Sequence, residues 1–137
     1  MIFFRIILFL IGSISGIWLV NDLILSAFSH DDIIKVSGLL NMWGSFVMLL
    51  IFPYLVVYVI KDKYKLSINL GEINRVGLII MIVISPVLAM ITYTQSKSNV
   101  INYVECKDER KISSRYSSRT YAISSELCTK IAHRKGT

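Results

Sequence analysis

The stretch VSGLLNMWGSFVMLLIFPYLVVYVI, residues 36–60, runs for 25 residues without an acidic or basic side chain. A second stretch, VGLIIMIVISPVLAMITYT at residues 76–94, does the same over 19 residues. At about 1.5 Å per residue in a helix, each is long enough to cross a hydrocarbon core roughly 30 Å thick. The sequence therefore predicts two membrane-spanning helices at these positions.

The N-terminal segment predicts a third span, over about residues 4–27. It is apolar on both sides of a single acidic residue, Asp22, which we expect near one membrane interface. A cleaved signal peptide is the alternative, with Arg5 as its charged part and a small-residue cleavage site at residues 13–15. Because the chain stays apolar beyond that site, we expect the first span to be retained.

The composition leaves no room for a globular domain of normal size beside the spans. Of the 137 residues, 54% are hydrophobic and they are concentrated in these runs, which use about half of the chain. The prediction is a membrane all-α protein: three transmembrane helices packed as a small bundle within residues 1–95. A polar tail over residues 96–137 forms a short extramembrane segment, with a hairpin and a short helix.

The distribution of cations gives the orientation of the spans. The loop between the second and third predicted spans has four Lys or Arg against two acids, whereas the first loop, SHDDIIK at residues 29–35, has one against two. Cations near membrane spans favour the cytoplasmic side. The tail has a net charge of +5, but only four of its cations lie close to a span, at residues 97–111. That number equals the four cations of the loop between the second and third spans, so the cation counts alone tie. The cysteines of the chain lie only in the tail and suit an oxidising compartment, which breaks the tie. We therefore predict a cytoplasmic N-terminus and an external tail.

The two cysteines of the chain, Cys106 and Cys128, both lie in the tail. Cysteines confined to one segment suit an oxidising compartment such as the bacterial periplasm. A bond between them would remove roughly 3 kcal/mol of entropy from the unfolded tail. Two free thiols remain an alternative. A metal site is disfavoured because two cysteines and His133 leave zinc short of ligands.

Small residues recur along the predicted spans. In lipid, such residues let helices approach closely, and Gly12 and Gly16 form a GxxxG pattern. We expect this pattern to pack within the chain, with a homodimer face as the alternative. The predicted helix-packing residues are Gly12, Gly16, Gly38, Gly44, Ser45, Gly77, Ser85 and Ala89.

Other features of the spans argue against transport. Pro53 and Pro86 predict kinks, and the tryptophans and tyrosines, among them Trp43, fall mostly where interfacial aromatic belts lie. No ionisable residue falls near the predicted middle of a span, where transporters and proton channels usually keep one. We expect Asp22 to end its span or to face the acidic residues of the first loop.

The tail has the pattern of a small recognition surface. NVINYVEC at residues 99–106 predicts one strand, KISSRYSSRTYAIS at residues 111–124 a second, and the following residues a short helix capped by Ser124 or Ser125. Arginine and tyrosine are enriched at binding hot spots. The predicted partner-binding residues are Arg115, Tyr116, Arg119 and Tyr121. Anionic lipid headgroups are an alternative partner for these residues. The other alternative is a solvated charged strand with no binding role. Nucleic acid is not expected as a partner.

Catalytic patterns are missing from the sequence. There are two histidines, and no GxSxG, HExxH or glycine-rich phosphate loop. We therefore expect no enzyme activity, no cofactor and no metal.

The segment YVECKDERKISSRYSSRTYAISSELC, residues 103–128, resembles a family of small uncharacterised inner-membrane proteins of enteric bacteria. The shared features are two cysteines around an RYSSRTY core, together with the general pattern of spans. The resemblance implies a bacterial inner membrane and a paired Cys106 and Cys128. It implies no activity.

Two functions fit a small, multi-span membrane protein without catalytic groups. We favour an immunity-type protein, which protects its cell from a membrane-acting toxin or effector through an outward face. The alternative is an accessory or assembly subunit of a larger membrane complex, with the helix faces making the contacts. The expected partners are the lipid bilayer and either the toxin or the other subunits.

Overall fold

The computed structural model describes residues 1–136 and contains three helices long and apolar enough to cross a membrane. These are α1 (Ile2–Phe28), α2 (Leu39–Tyr64) and a third span, Ile73–Asn99. The third span consists of α3 (Ile73–Ile79), a π-helical turn (Ile80–Ile84) and α4 (Ser85–Asn99). The prediction of a multi-pass, mostly helical membrane protein is confirmed. The bounds of the three spans differ from the predicted ones by one to five residues at either end.

The chain divides into two compact units. The first, which we call the helix unit, comprises Met1–Asn21 and Trp43–Ala89. The second, the sheet unit, comprises Asp22–Met42 and the chain from Met90 onward. The sheet unit therefore combines the first loop with the tail, which the sequence analysis treated as separate segments.

Within the helix unit, α1 packs on α2 through the predicted GxxxG pattern. A Cβ on Gly12 would lie 2.7 Å from the Phe52 ring, and one on Gly16 would lie 2.8 Å from the backbone nitrogen of Leu49. The Phe9 and Phe52 rings add a contact with centroids 6.2 Å apart. The glycine face is thus covered within the chain.

Gly38, another predicted packing residue, lies in the sheet unit and approaches Ser117 of the tail instead of a helix. The remaining five predicted packing residues divide into two groups. Ser45, Ser85 and Ala89 are buried, as close helix packing requires. By contrast, a Cβ on Gly44 or on Gly77 would meet nothing within 4 Å, so neither glycine marks a close approach.

The π-helical turn has a physical cause in the residue that follows it. Pro86 has no backbone N–H, and its ring clashes with the preceding turn of a regular α-helix. The Ser85 N–H donates to the carbonyl of Ile80, five residues back, so the turn is widened just before the proline. The predicted disturbance at Pro86 is therefore a π turn, whereas α2 continues as an α-helix through Pro53.

The sheet has β4 (Ser117–Ala122) as its central strand. β1 (Ile33–Ser37) pairs antiparallel with one edge of β4, with Ile34 opposite Tyr121. On the other edge lie two short strands, β2 (Val104–Glu105) and β3 (Lys111–Ile112), both antiparallel to β4. A 3₁₀ turn (Lys107–Glu109) separates β2 from β3, and α5 (Ser125–Lys135) follows β4.

This sheet corrects the strands expected from the sequence. Most of the first predicted strand is the end of α4 and a turn, and only Val104–Glu105 is extended. The second predicted strand is itself a hairpin, because the turn at residues 113–116 separates β3 from β4. β1 was not predicted at all. Its signal was the group of β-branched residues Ile33, Ile34 and Val36, which the predicted bounds divide between the first loop and the second span.

Covalent and polar contacts hold the sheet unit together. The predicted disulfide between Cys106 and Cys128 is present, with Cα atoms 5.3 Å apart, and it ties α5 to the chain beside β2. Lys135 forms an ion pair with Glu109, which adds a second tie between α5 and the 3₁₀ turn. Ser124 occupies the N-cap position of α5, but its side chain makes no capping hydrogen bond.

Side-chain hydrogen bonds also join the first loop to the tail, in addition to the pairing of β1 with β4. The Asn99 side-chain amide donates to the carbonyl of Ser29 at 2.6 Å, and the Tyr103 hydroxyl donates to the carbonyl of Asp31 at 3.1 Å. Ile34, Val36 and Ala122 are buried in the core of the unit. A polar tail of this length is too short to bury a core alone, so the loop supplies the missing strand and apolar surface.

Candidate functional site

The turn between β3 and β4, residues 113–116, presents two of the predicted partner-binding residues; we call it the recognition turn. The backbone N–H of Ser113 donates to the carbonyl of Tyr116 at 2.8 Å. In return, the Tyr116 N–H donates to Ser113 Oγ at 3.1 Å. These reciprocal bonds close the turn and fix the backbone of Tyr116, while Arg115 is exposed between them.

The Tyr116 ring is also held from the side. Its exposed fraction is 40%, and the Lys35 Nζ lies 5.6 Å from the ring centroid, within the range of a cation–π contact. Partial burial raises the pKa of the Tyr116 hydroxyl, but the Lys35 ammonium, the Ser118 hydroxyl and the charge of Lys111 together outweigh that effect, so the pKa lies below its usual value. Tyr116 is therefore an exposed aromatic residue in a fixed, positively charged setting.

The other two predicted partner-binding residues lie on β4, away from the recognition turn. Arg119 is exposed, and its Nε lies 3.9 Å from Glu105 Oε1. Tyr121 is only 7% exposed, and its hydroxyl accepts a hydrogen bond from Lys97 Nζ at 2.9 Å. The four predicted partner-binding residues therefore do not form one surface, because Arg115 and Tyr116 lie in the turn and Tyr121 is buried.

Glu105 on β2 lies among three cations. Arg110 donates to its Oε1 from both Nε (2.9 Å) and Nη2 (2.6 Å). That hydrogen-bonded guanidinium lowers the pKa of the Glu105 carboxyl; partial burial opposes the effect, and the charges of Arg119 and Lys97 add to it. One carboxylate thus faces three cations, which leaves a surplus of positive charge.

A cavity of about 240 Å³ lies within the sheet unit, where α2 begins and α4 ends; we call it the interfacial cavity. Its polar wall includes Gly38, Tyr93, Lys97, Ser117 and Arg119. Lys97 is not among the predicted site residues, although its position near the end of a span, on the same side as the cysteine-bearing tail, was a usable signal.

A second cavity of about 290 Å³ in the sheet unit is lined by Asp22 and Asp31, among others. Asp22 does not end its helix, because α1 continues to Phe28, but it does lie beside the acidic first loop as expected. Among residues 1–136, no three His, Cys, Asp or Glu side chains come together as a metal site would require.

Comparison with known proteins identifies a family but no activity. Residues 27–129 match the model of a family described as "Protein of unknown function (DUF1240)". The matched range contains α2, the third span, all four strands and both cysteines, and it begins near the end of α1. Neither the curated proteins nor the solved structures contain a match.

Proposed function

The chain belongs to the DUF1240 family, and from this premise we propose that it is a non-enzymatic, immunity-type protein of the bacterial inner membrane. In this proposal the sheet unit faces outward and binds a membrane-acting toxin or effector. The N-terminus is cytoplasmic. The disulfide between Cys106 and Cys128 supports an outward sheet unit, because disulfides persist in the oxidising periplasm and are rare in the cytosol.

The observation that carries the proposal is the construction of the recognition turn. Tyr116 is exposed, yet its backbone is closed by two hydrogen bonds to Ser113 and its ring lies beside Lys35. A side chain already held in place loses little conformational entropy on binding, and tyrosine and arginine are the residues that dominate interface energetics. Arg115, with no ion pair within the described residues, is free to meet an acidic group on the partner.

The charge of the surface indicates the chemistry of the partner. Lys35 and Lys111 lie close enough to the Tyr116 hydroxyl to lower its pKa, and Arg115 is adjacent in the turn. A patch with several cations attracts partners of the opposite sign and speeds their association. We therefore propose an acidic protein surface as the complement of the recognition turn.

The test is a competition between cells that lack the protein and their parent in mixed culture on a surface. Under the proposal, the deletion strain is killed by the parent and is rescued by the wild-type gene. A gene with Arg115→Ala and Tyr116→Ala should fail to rescue, although the protein is present at normal abundance with its disulfide formed. Lys130→Ala, which removes an exposed cation from α5, is the control and should rescue fully.

Two outcomes would contradict the proposal at different points. Survival of the deletion strain in competition would remove the immunity function. If those cells instead lost a resident membrane complex, the accessory-subunit alternative would be favoured. Full rescue by the double variant would leave immunity intact but would show that the recognition turn is not the binding surface.

A further inference from the structure

The interfacial cavity has a charge that the proposed recognition function does not use. Lys97 and Arg119 both line it, and none of the described residues that line it is acidic. Glu105, the carboxylate beside Arg119, is already held by two hydrogen bonds from Arg110. Three cations around one carboxylate leave about two uncompensated positive charges next to the cavity.

The position of the ammonium group of Lys97 is fixed. Its Nζ donates to the Tyr121 hydroxyl at 2.9 Å and lies 5.4 and 5.8 Å from the ring centroids of Tyr121 and Tyr93, respectively. These contacts orient the ammonium but bring no negative charge to it. A lysine held in this way is preorganised to bind an anion, since its side-chain entropy is already reduced.

Backbone groups add to the positive potential. The cavity wall includes Gly38 and Leu39, where α2 begins, and the first turn of α2 has no acidic residue. The first N–H groups of a helix have no intrahelical partner and carry partial positive charge. Gly38 permits close contact with β4, because a Cβ there would lie 1.9 Å from Ser117 Oγ.

The cavity lies near the ends of two spans, and this depth in the membrane indicates where the anion comes from. Lys97 lies two residues before the end of the third span, Ile73–Asn99, and Leu39 is the first residue of α2. The ends of membrane spans lie at the depth of lipid headgroups, where basic pockets bind their phosphates. The remaining wall includes apolar Val36 and Ile112, which suits a group joined to a lipid.

From these observations we infer that the interfacial cavity is a phosphate-binding site, held by Lys97 and Arg119, for the headgroup of an anionic phospholipid. The volume of about 240 Å³ is below the range of about 300–1,000 Å³ that is typical for drug-sized ligands, so it suits a small group. A phosphate can accept hydrogen bonds from the ammonium, the guanidinium and the Ser117 hydroxyl together. This inference does not depend on immunity or on the recognition turn.

The experiment uses the purified full-length protein in a maltoside detergent, which carries no phosphate. Its unfolding midpoint is measured against increasing phosphatidylglycerol, against diacylglycerol as the lipid without phosphate, and against sodium phosphate with chloride at equal ionic strength. A ligand that binds only the folded state raises the midpoint with concentration, which gives an apparent dissociation constant. We expect phosphatidylglycerol to raise the midpoint and diacylglycerol to leave it unchanged.

Two double variants that lose the same charge distinguish binding in the cavity from general electrostatic attraction to the protein. Lys97→Gln with Arg119→Gln should weaken the response to phosphatidylglycerol at least about tenfold. Lys107→Gln with Lys130→Gln removes two exposed cations elsewhere and should respond as the wild type does. If the first double variant does not fold, Arg119→Gln alone provides the test, since that side chain is exposed.

The outcomes distinguish the source of the phosphate. A response to phosphatidylglycerol alone, lost in the cavity variant, supports a lipid headgroup. An equal, cavity-dependent response to sodium phosphate supports a phosphate site filled from solution. If phosphatidylglycerol and diacylglycerol have the same effect, or if both double variants respond as the wild type does, the inference is overturned.

Discussion

The indole Nε1 of Trp43 donates a hydrogen bond to the carbonyl oxygen of Met81, 2.9 Å away, inside the π-helical turn of the third span. In the π pattern set by Ser85, the next backbone donor for that carbonyl would be residue 86, which is a proline without an N–H. An unpaired carbonyl in a bilayer is unfavourable because no water is present to bind it. The indole replaces the missing donor, so Trp43 joins two spans.

We predict that Trp43→Phe lowers the free energy of unfolding by about 1 kcal/mol, because the Met81 carbonyl then loses its donor. The measurement is the unfolding midpoint of the purified protein in detergent. Trp18→Phe is the matched control, since Trp18 lies 72% exposed on α1 and should tolerate the change. Equal effects of the two substitutions would mean that the hydrogen bond contributes nothing specific.

A second prediction concerns the glycines of the spans, which look alike in the sequence and differ in the structure. Gly16→Ala should destabilise the protein by about 1–2 kcal/mol, because the new Cβ would approach the backbone nitrogen of Leu49 and backbone cannot move aside easily. Gly44→Ala should be neutral or stabilising by up to about 1 kcal/mol, since its Cβ meets nothing and alanine favours a helix.

Thermal unfolding of the two variants in the same detergent decides this point. The control is built into the pair, because both substitutions add one methyl group inside a helix. A larger loss at Gly44 than at Gly16 would contradict the close packing of α1 on α2.

These contrasts show which parts of the structure could be predicted from the sequence. The spans were predicted because a long uncharged run is stable as a helix inside a bilayer. The length of such a helix can be compared directly with the thickness of the hydrocarbon core. Local patterns also predicted α5. The pairing of Cys106 with Cys128 came from a resemblance to other proteins.

The pairing of β1 with β4 was not predictable in the same way. Ile33 lies opposite Ala122, so the contact joins segments almost ninety residues apart, and nothing in either segment identifies its partner. The burial of Tyr121 has the same cause. Alternation along β4 showed which residues share a face, but only the packing of Ile34 and Lys97 decides which face is covered. The sequence could therefore assign the proposed binding surface to a segment, but it could not tell which residues of that segment are exposed.

A third prediction follows from the lowered pKa of Glu105. A carboxyl whose pKa is lower in the folded state stabilises that state above its ordinary pKa, about 4.3, and this stabilisation is lost as the pH falls through the folded value. Arg110 and Glu105 are partly exposed, so we expect a small effect of about 0.2–1 kcal/mol.

The unfolding midpoint should therefore fall more steeply between about pH 5 and pH 3 in the wild type than in Arg110→Gln. Arg115→Gln removes the same charge from the recognition turn, and its pH profile should follow the wild type. An Arg110→Gln profile as steep as the wild-type one would show that another carboxyl carries the acid dependence.

The last prediction addresses the side of the membrane on which the sheet unit lies. In intact cells, a membrane-impermeant maleimide should fail to label the wild type until a mild reductant opens the disulfide between Cys106 and Cys128. In Cys106→Ser, the remaining Cys128 is partly exposed and has no partner, so it should be labelled without reduction. A cysteine introduced at Ser67, in the loop between the second and third spans, is the control and should require cell lysis. If Cys128 also requires lysis, the sheet unit lies in the cytoplasm, and a toxin arriving from outside could not reach the recognition turn.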